Sequence, residues 1–201
     1  MNNPTAGSPN ARQRRRLLLA TGTVGGVGLV GTMLPFVASM APSDAARSRG
    51  APVEADLDSV APGALVTVAW HGKPVWILHR TRAMLDGLGK HDSLLADPLS
   101  REEQQPAYAR NATRSLRPDF LLAIGLCTHL GCVPTYRPEV GAADLGDDWP
   151  GGFFCPCHGS KFDLAGRVFR NVPAPLNLEI PPYAYQGETR LVVGQDRSGP
   201  A

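Results

Sequence analysis

Hydrophobic positions along this chain fall into two regimes. From Leu17 to Ser43 no residue is charged, a run longer than the roughly 20 apolar residues that cross a bilayer. After the linker beyond it, apolar residues come in short runs rich in β-branched and aromatic side chains, broken by Gly and Pro. Residues 65–70 and 75–79 flank His71-Gly72-Lys73-Pro74 and predict a hairpin. Further strands are expected over 121–126, 152–154, 161–163, 167–169, 178–180 and 189–193, with a short helix over 82–88 and an irregular polar excursion over 97–117. Repeated short strands with Gly/Pro turns imply an antiparallel β-sandwich or small barrel. The expected fold class is therefore mainly β, preceded by a single transmembrane helix.

Arg14, Arg15 and Arg16 stand directly before the apolar run. A cleaved signal peptide is the rival, and Ala38-Ser39-Met40-Ala41 offers small residues to a peptidase, but its apolar core spans only about 7–15 residues. The arginines place the N-terminus in the cytoplasm and are similar to a twin-arginine export signal. Residues 42–52 are small, polar or proline without apolar periodicity and read as a flexible hinge linker. The expected organisation is a basic cytoplasmic N-terminus (1–16), a transmembrane helix (17–41), the linker, and a head (53–201). The formal charge of +2 hides an asymmetry, because four of the 20 basic residues sit at positions 12–16. The remainder of the chain is slightly acidic, with no basic stripe for nucleic acid.

All four cysteines fall in two boxes, Cys127-Thr128-His129-Leu130-Gly131-Cys132 and Cys155-Pro156-Cys157-His158-Gly159-Ser160. Each holds a Cys and a His at ligand spacing plus a second Cys. A Rieske centre carries two thiolates on one iron and two imidazoles on the other, which raises its potential to roughly −150 to +300 mV. That chemistry assigns Cys127 and Cys155 to one iron and His129 and His158 to the other. Cys132 and Cys157 are left over and can pair as a disulfide in an oxidising compartment. A structural zinc site is the alternative, but zinc ribbons show two C-x-x-C knuckles and this chain has none. His71, His79 and His91 have no partner at ligand spacing and read as packing or solvated residues. The acidic run 144–148 reads as a solvated loop.

With these boxes the chain resembles the Rieske proteins of ubiquinol–cytochrome c reductase, the cytochrome bc1 complex. The resemblance extends to Trp70-His71-Gly72-Lys73-Pro74-Val75-Trp76, to Phe162-Asp163-Leu164-Ala165-Gly166-Arg167 and to Pro173-Ala174-Pro175. It implies one [2Fe–2S] cluster in a subdomain of about 121–176 inserted into a larger antiparallel domain. It implies an electron-transfer subunit, not catalytic alone, that takes an electron and a proton from ubiquinol and passes the electron to the cytochrome c1 haem as the head moves. His158 and His129 would contact the quinol, Ser160 would donate a hydrogen bond to a bridging sulfide, and cytochrome b and cytochrome c1 would be the partners, in a dimeric complex. The head would lie in the periplasm of a bacterial inner membrane. The Rieske subunit of another periplasmic oxidoreductase, such as arsenite oxidase, is the alternative. Two positions depart from the family pattern: Phe162 stands where tyrosine is frequent, and Val172 where the proline loop often has glycine.

Overall fold

The computed structural model describes residues 9–43, 50–196 and 199–200. It divides into two compact units, Met1–Arg47 and Ser48–Ala201. The first is a single helix, α1 (Pro9–Ser39), whose 31 residues extend about 46 Å at 1.5 Å per residue. Its apolar side chains are exposed all round, among them Leu17, Val24, Leu29 and Phe36. By length and composition it is able to cross a membrane. The helix begins earlier than the apolar run, so Arg12 to Arg16 lie within it. Of the expected linker, residues 44–49 fall outside the described residues, as do positions 1–8.

The second unit is built from short antiparallel strands. β1 (Val53–Asp56) pairs with β9 (Arg190–Val193), which also pairs with β8 (Tyr183–Gln186). β2 (Leu65–Trp70), β3 (Lys73–His79) and β4 (Phe120–Ile124) form a second sheet in that order. β5 (Thr135–Arg137), β6 (Gly152–Phe154) and β7 (Lys161–Phe162) form a third. β10 (Gln195–Asp196) and β11 (Gly199–Pro200) make a final ribbon. Helix α2 (Arg82–Leu88) lies where expected, its first turn capped by Thr81 Oγ1, which accepts the Met84 N–H at 3.3 Å.

The expected hairpin is present with a tighter turn. His71 (φ 51°) and Gly72 (φ 71°) both lie in the left-handed region, so two residues reverse the chain and Lys73-Pro74 join the strand. That backbone matches strand twist. Residues 167–169 make only single bridges, Phe162 to Val168 and Leu95 to Phe169. Residues 178–180 form no strand, because their bonds go to unrelated partners: Leu178 N–H to Gly166 O and Ile180 N–H to Gln104 O.

β3 and β4 carry the core. Val75, Ile77, Leu78, Leu121, Leu122 and Ala123 are fully buried, which explains why these strands read as continuous apolar runs instead of alternating. Trp76 stacks on Phe153 of β6 at 4.8 Å and so joins the second sheet to the third. Beside this core lie three buried arginines, whose donors are met mostly by carbonyls of irregular segments. Arg80 donates to Thr113 O and Pro118 O at 2.8 Å, and Arg114 to Leu178 O at 2.8 Å. Burial pushes both guanidinium pKa values down to about 10, against the pull of Asp163, so both remain cations at neutral pH.

Residues 137–150, between β5 and β6, fold back on the unit. Trp149 is buried, stacks on Phe169 at 5.9 Å and donates its indole N–H to Arg137 O. Lys161 Nζ donates to Leu145 O at 3.0 Å. The acidic residues Asp144, Asp147 and Asp148 are exposed as expected, and Asp144 makes a two-pronged surface contact with Arg137 at 2.8 Å.

Candidate metal centre

Each box leaves a strand and turns at once. Box one follows β4 through Gly125, where a Cβ would overlap the Trp76 indole, so only glycine lets the chain cross that ring. Box two follows β6 directly.

The two boxes then fold alike. Cys127 N–H donates to Cys132 O (2.7 Å) and Gly131 N–H returns to Cys127 O (2.9 Å). In box two Cys155 N–H donates to Ser160 O (2.8 Å) and Gly159 N–H to Cys155 O (2.9 Å). Gly131 (φ 77°) and Gly159 (φ 78°) hold the same left-handed position, which a Cβ would disfavour. The duplication seen in sequence is therefore a duplication of backbone geometry.

This folding sorts the donors by depth. Cys127 and Cys155 are free thiols and buried, at 3 % and 2 % exposure. His129 is half-buried and His158 exposed, their rings perpendicular with centroids 4.8 Å apart. Burial pushes the Cys155 thiol pKa up, opposed by the N–H groups of Cys157 and His158 hydrogen-bonded to its sulfur, while its contact with Cys127 raises it further. Cys132 and Cys157 form a disulfide that ties the loops, with Cα atoms 6.7 Å apart. The sulfurs of Cys132, Cys155 and Cys157 lie within 4.8 Å of one another, but two of them are spent in that bond, so the trio is no thiolate site. Two thiols and two imidazoles remain, a donor set that fits a mixed-ligand [2Fe–2S] cluster.

Segment 173–176 closes over both boxes. Ser160, fully buried, accepts the Ala174 N–H at 3.0 Å, and Thr128 Oγ1 donates to Leu176 O at 2.6 Å. Sequence reasoning singles out Ser160 and the prolines but misses Thr128, because its partner lies 48 residues further on. It also misses Arg167, which follows the β7 turn at 1 % exposure. Its guanidinium meets Asp163 (2.8 Å), Asp92 (2.9 Å) and Leu88 O (2.7 Å). The other histidines behave as expected: His79 bonds Val60 O through Nδ1 and stacks on Phe120.

Comparison with known proteins agrees with this site. Residues 108–182 match the Rieske [2Fe–2S] domain, and residues 4–43 match the family described as "Ubiquitinol-cytochrome C reductase Fe-S subunit TAT signal". The ubiquinol–cytochrome c reductase iron–sulfur subunit of Allochromatium vinosum is 58 % identical over 94 % of this chain and 91 % of its own length. Those of Bradyrhizobium diazoefficiens and Rhodospirillum rubrum are 38 % and 39 % identical over 94 % of this chain, and over 99 % and 97 % of their own lengths. A Rieske domain behind an apolar N-terminal helix, shared along nearly the full length of these relatives, shows that the chain belongs to the iron–sulfur subunits of ubiquinol–cytochrome c reductase.

Proposed function

We propose that Cys127 and Cys155 ligate one iron of a [2Fe–2S] cluster and His129 and His158 the other, and that this chain carries electrons from ubiquinol at cytochrome b to the haem of cytochrome c1. When bound, the cluster supplies a one-electron acceptor whose potential is raised by its two neutral imidazole ligands. The observation that carries the reading is the depth gradient: thiols inside, His129 half-buried and His158 exposed. The buried loops exclude water from the thiolates, and the backbone donors at Cys155 Sγ stabilise negative charge on sulfur.

His158 orients the quinol. One ring nitrogen would hold the iron, and the other, whose own proton the iron's positive charge makes easier to lose, would in that deprotonated form accept the hydrogen bond of the quinol hydroxyl and take its proton; His129 would serve the same surface from box one. Ser160 accepts from Ala174 and so keeps its own proton for a cluster sulfide. Helix α1 anchors the chain, with residues 1–16 cytoplasmic and the head of residues 53–201 in the periplasm. The 42–52 linker lets that head, with its cluster subdomain at about 121–176, travel between cytochrome b and cytochrome c1 of a dimeric complex in the bacterial inner membrane.

The test is pulsed EPR on the reduced full-length chain in its complex. Nitrogen couplings from two imidazoles are expected, with one lost in His158→Cys and quinol-dependent cytochrome c reduction abolished. Unchanged couplings in that variant would remove His158 from the ligand set.

A further inference from the structure

The Cys132–Cys157 disulfide and the free Cys155 thiol share one small volume, with all three sulfur atoms within 4.8 Å of one another. A disulfide rearranges when a third sulfur attacks one of its own in line with the bond and displaces the other, so exchange needs a thiol within reach that is free to swing behind the bond. Cys127, the other free thiol, is outside this trio. Attack on Cys157 would close a ring across Cys155-Pro156-Cys157, where proline fixes the intervening backbone. Cys132 stands on the opposite loop and carries no such restriction.

We infer that Cys155, whenever iron does not hold its sulfur, exchanges with the disulfide to give a Cys132–Cys155 bond. The Cys155 sulfur attacks Cys132 Sγ as its thiolate, the Cys132–Cys157 bond breaks, and its electron pair leaves on Cys157 Sγ, which takes up the proton given by Cys155. One disulfide and one thiol become one disulfide and one thiol, and no oxidant or reductant is needed. The product still ties the two loops, but a proposed iron ligand has been consumed. The disulfide is thus compatible with the cluster only while Cys155 is engaged. The exchange is reversible, because the freed Cys157 thiol can attack the new bond in turn, so cluster loss leaves the site divided between the two disulfides until a dithiol frees Cys155.

The inference rests on the reading of Cys155 as a cluster ligand, and the experiment separates the two. The full-length chain in detergent is stripped of iron with a chelator under anaerobic conditions. Free thiols are alkylated at intervals, and digests are sequenced by tandem mass spectrometry. A Cys132–Cys155 link with alkylated Cys157 is expected to accumulate. Reloading with iron and sulfide should decline in step and return after dithiol treatment. The Cys132→Ala/Cys157→Ala double variant should reload without a dithiol. Finding only Cys132–Cys157 with alkylated Cys155 at every time would overturn the exchange, as would an equal loss of reloading in the double variant. Retention of a normal cluster by Cys155→Ser would instead overturn the ligand reading.

Discussion

Ser160 Oγ accepts the Ala174 N–H at 3.0 Å, joining the last residue of box two to the middle of the Pro173-Ala174-Pro175 turn. Both residues are buried. A serine hydroxyl has one proton and two lone pairs, so accepting here leaves the proton to be donated elsewhere and fixes the hydroxyl that donates it. The prolines on either side hold φ near −65°, which keeps the Ala174 N–H aimed at the loop.

Ser160→Ala removes the bond from Ala174 and, with it, the proposed bond to a cluster sulfide. The lost donor to a cluster sulfide lowers the midpoint potential, because hydrogen bonds to sulfur favour the more negative reduced state. The buried Ala174 N–H is left unpaired, which destabilises the head by about 1–3 kcal/mol. Redox titration and thermal melting of the variant measure the two effects separately. A lower melting temperature with an unchanged potential would reduce Ser160 to a structural tie.

Thr128 is the counterpart in box one. Thr128→Val deletes the 2.6 Å bond to Leu176 O while nearly keeping shape, at about 0.5–1.5 kcal/mol for one hydrogen bond. Heat-induced bleaching of the cluster should quicken, since the loop bearing Cys127 and His129 loses its tie to segment 173–176. Bleaching at the wild-type rate would show that the disulfide alone holds the loops.

Phe162 is fully buried in β7, paired with Phe153 across the strand and two residues beyond Ser160. In Phe162→Tyr the new hydroxyl has to find an acceptor within a dry interior, and a ligating cysteine sulfur is the acceptor that the family resemblance implies. The midpoint potential should then rise. A redox titration that gave the same or a lower value would mean that the hydroxyl bonds elsewhere.

The legible parts of this molecule are those whose partners are close in sequence. The hairpin of β2 and β3 has its turn between its strands, and each box carries its ligands within six residues. β1 escapes a sequence reading because Val53–Asp56 is a short alternating segment that pairs with Arg190–Val193, far along the chain. β5 and β8 are likewise three and four residues long, too short for a period to show. Arg80, Arg114 and Arg167 look like ordinary charges in the sequence. Their burial depends on carbonyls presented by the 97–120 and 163–178 segments, which no local pattern reveals.

Arg167 makes that dependence measurable. Asp163 is 4 % exposed; its Oδ1 accepts the N–H groups of Ala165 and Arg167 and its Oδ2 meets the Arg167 side chain. Arg167→Met strands a buried carboxylate and should cost about 3–5 kcal/mol. Adding Asp163→Asn removes that charge and should recover part of the loss in a denaturant melt. No recovery in the double variant would place the damage in the lost Asp92 and Leu88 contacts.

The Arg137–Asp144 pair gives the 137–150 segment a pH signature. The guanidinium hydrogen bonds hold the Asp144 carboxyl pKa down at about 2, so the pair's contribution is full above the ordinary carboxylate range. It is lost as pH falls towards that value, because protonating Asp144 removes the charge that Arg137 holds. Asp144 is exposed, so salt weakens the pair. Carbon-detected NMR titration of Asp144 should show the depressed midpoint, which Arg137→Gln returns to the ordinary range and added salt moves part of the way. Equal midpoints in both proteins would mean that Asp144 is free in solution, leaving Trp149 and Lys161 as the ties of this segment.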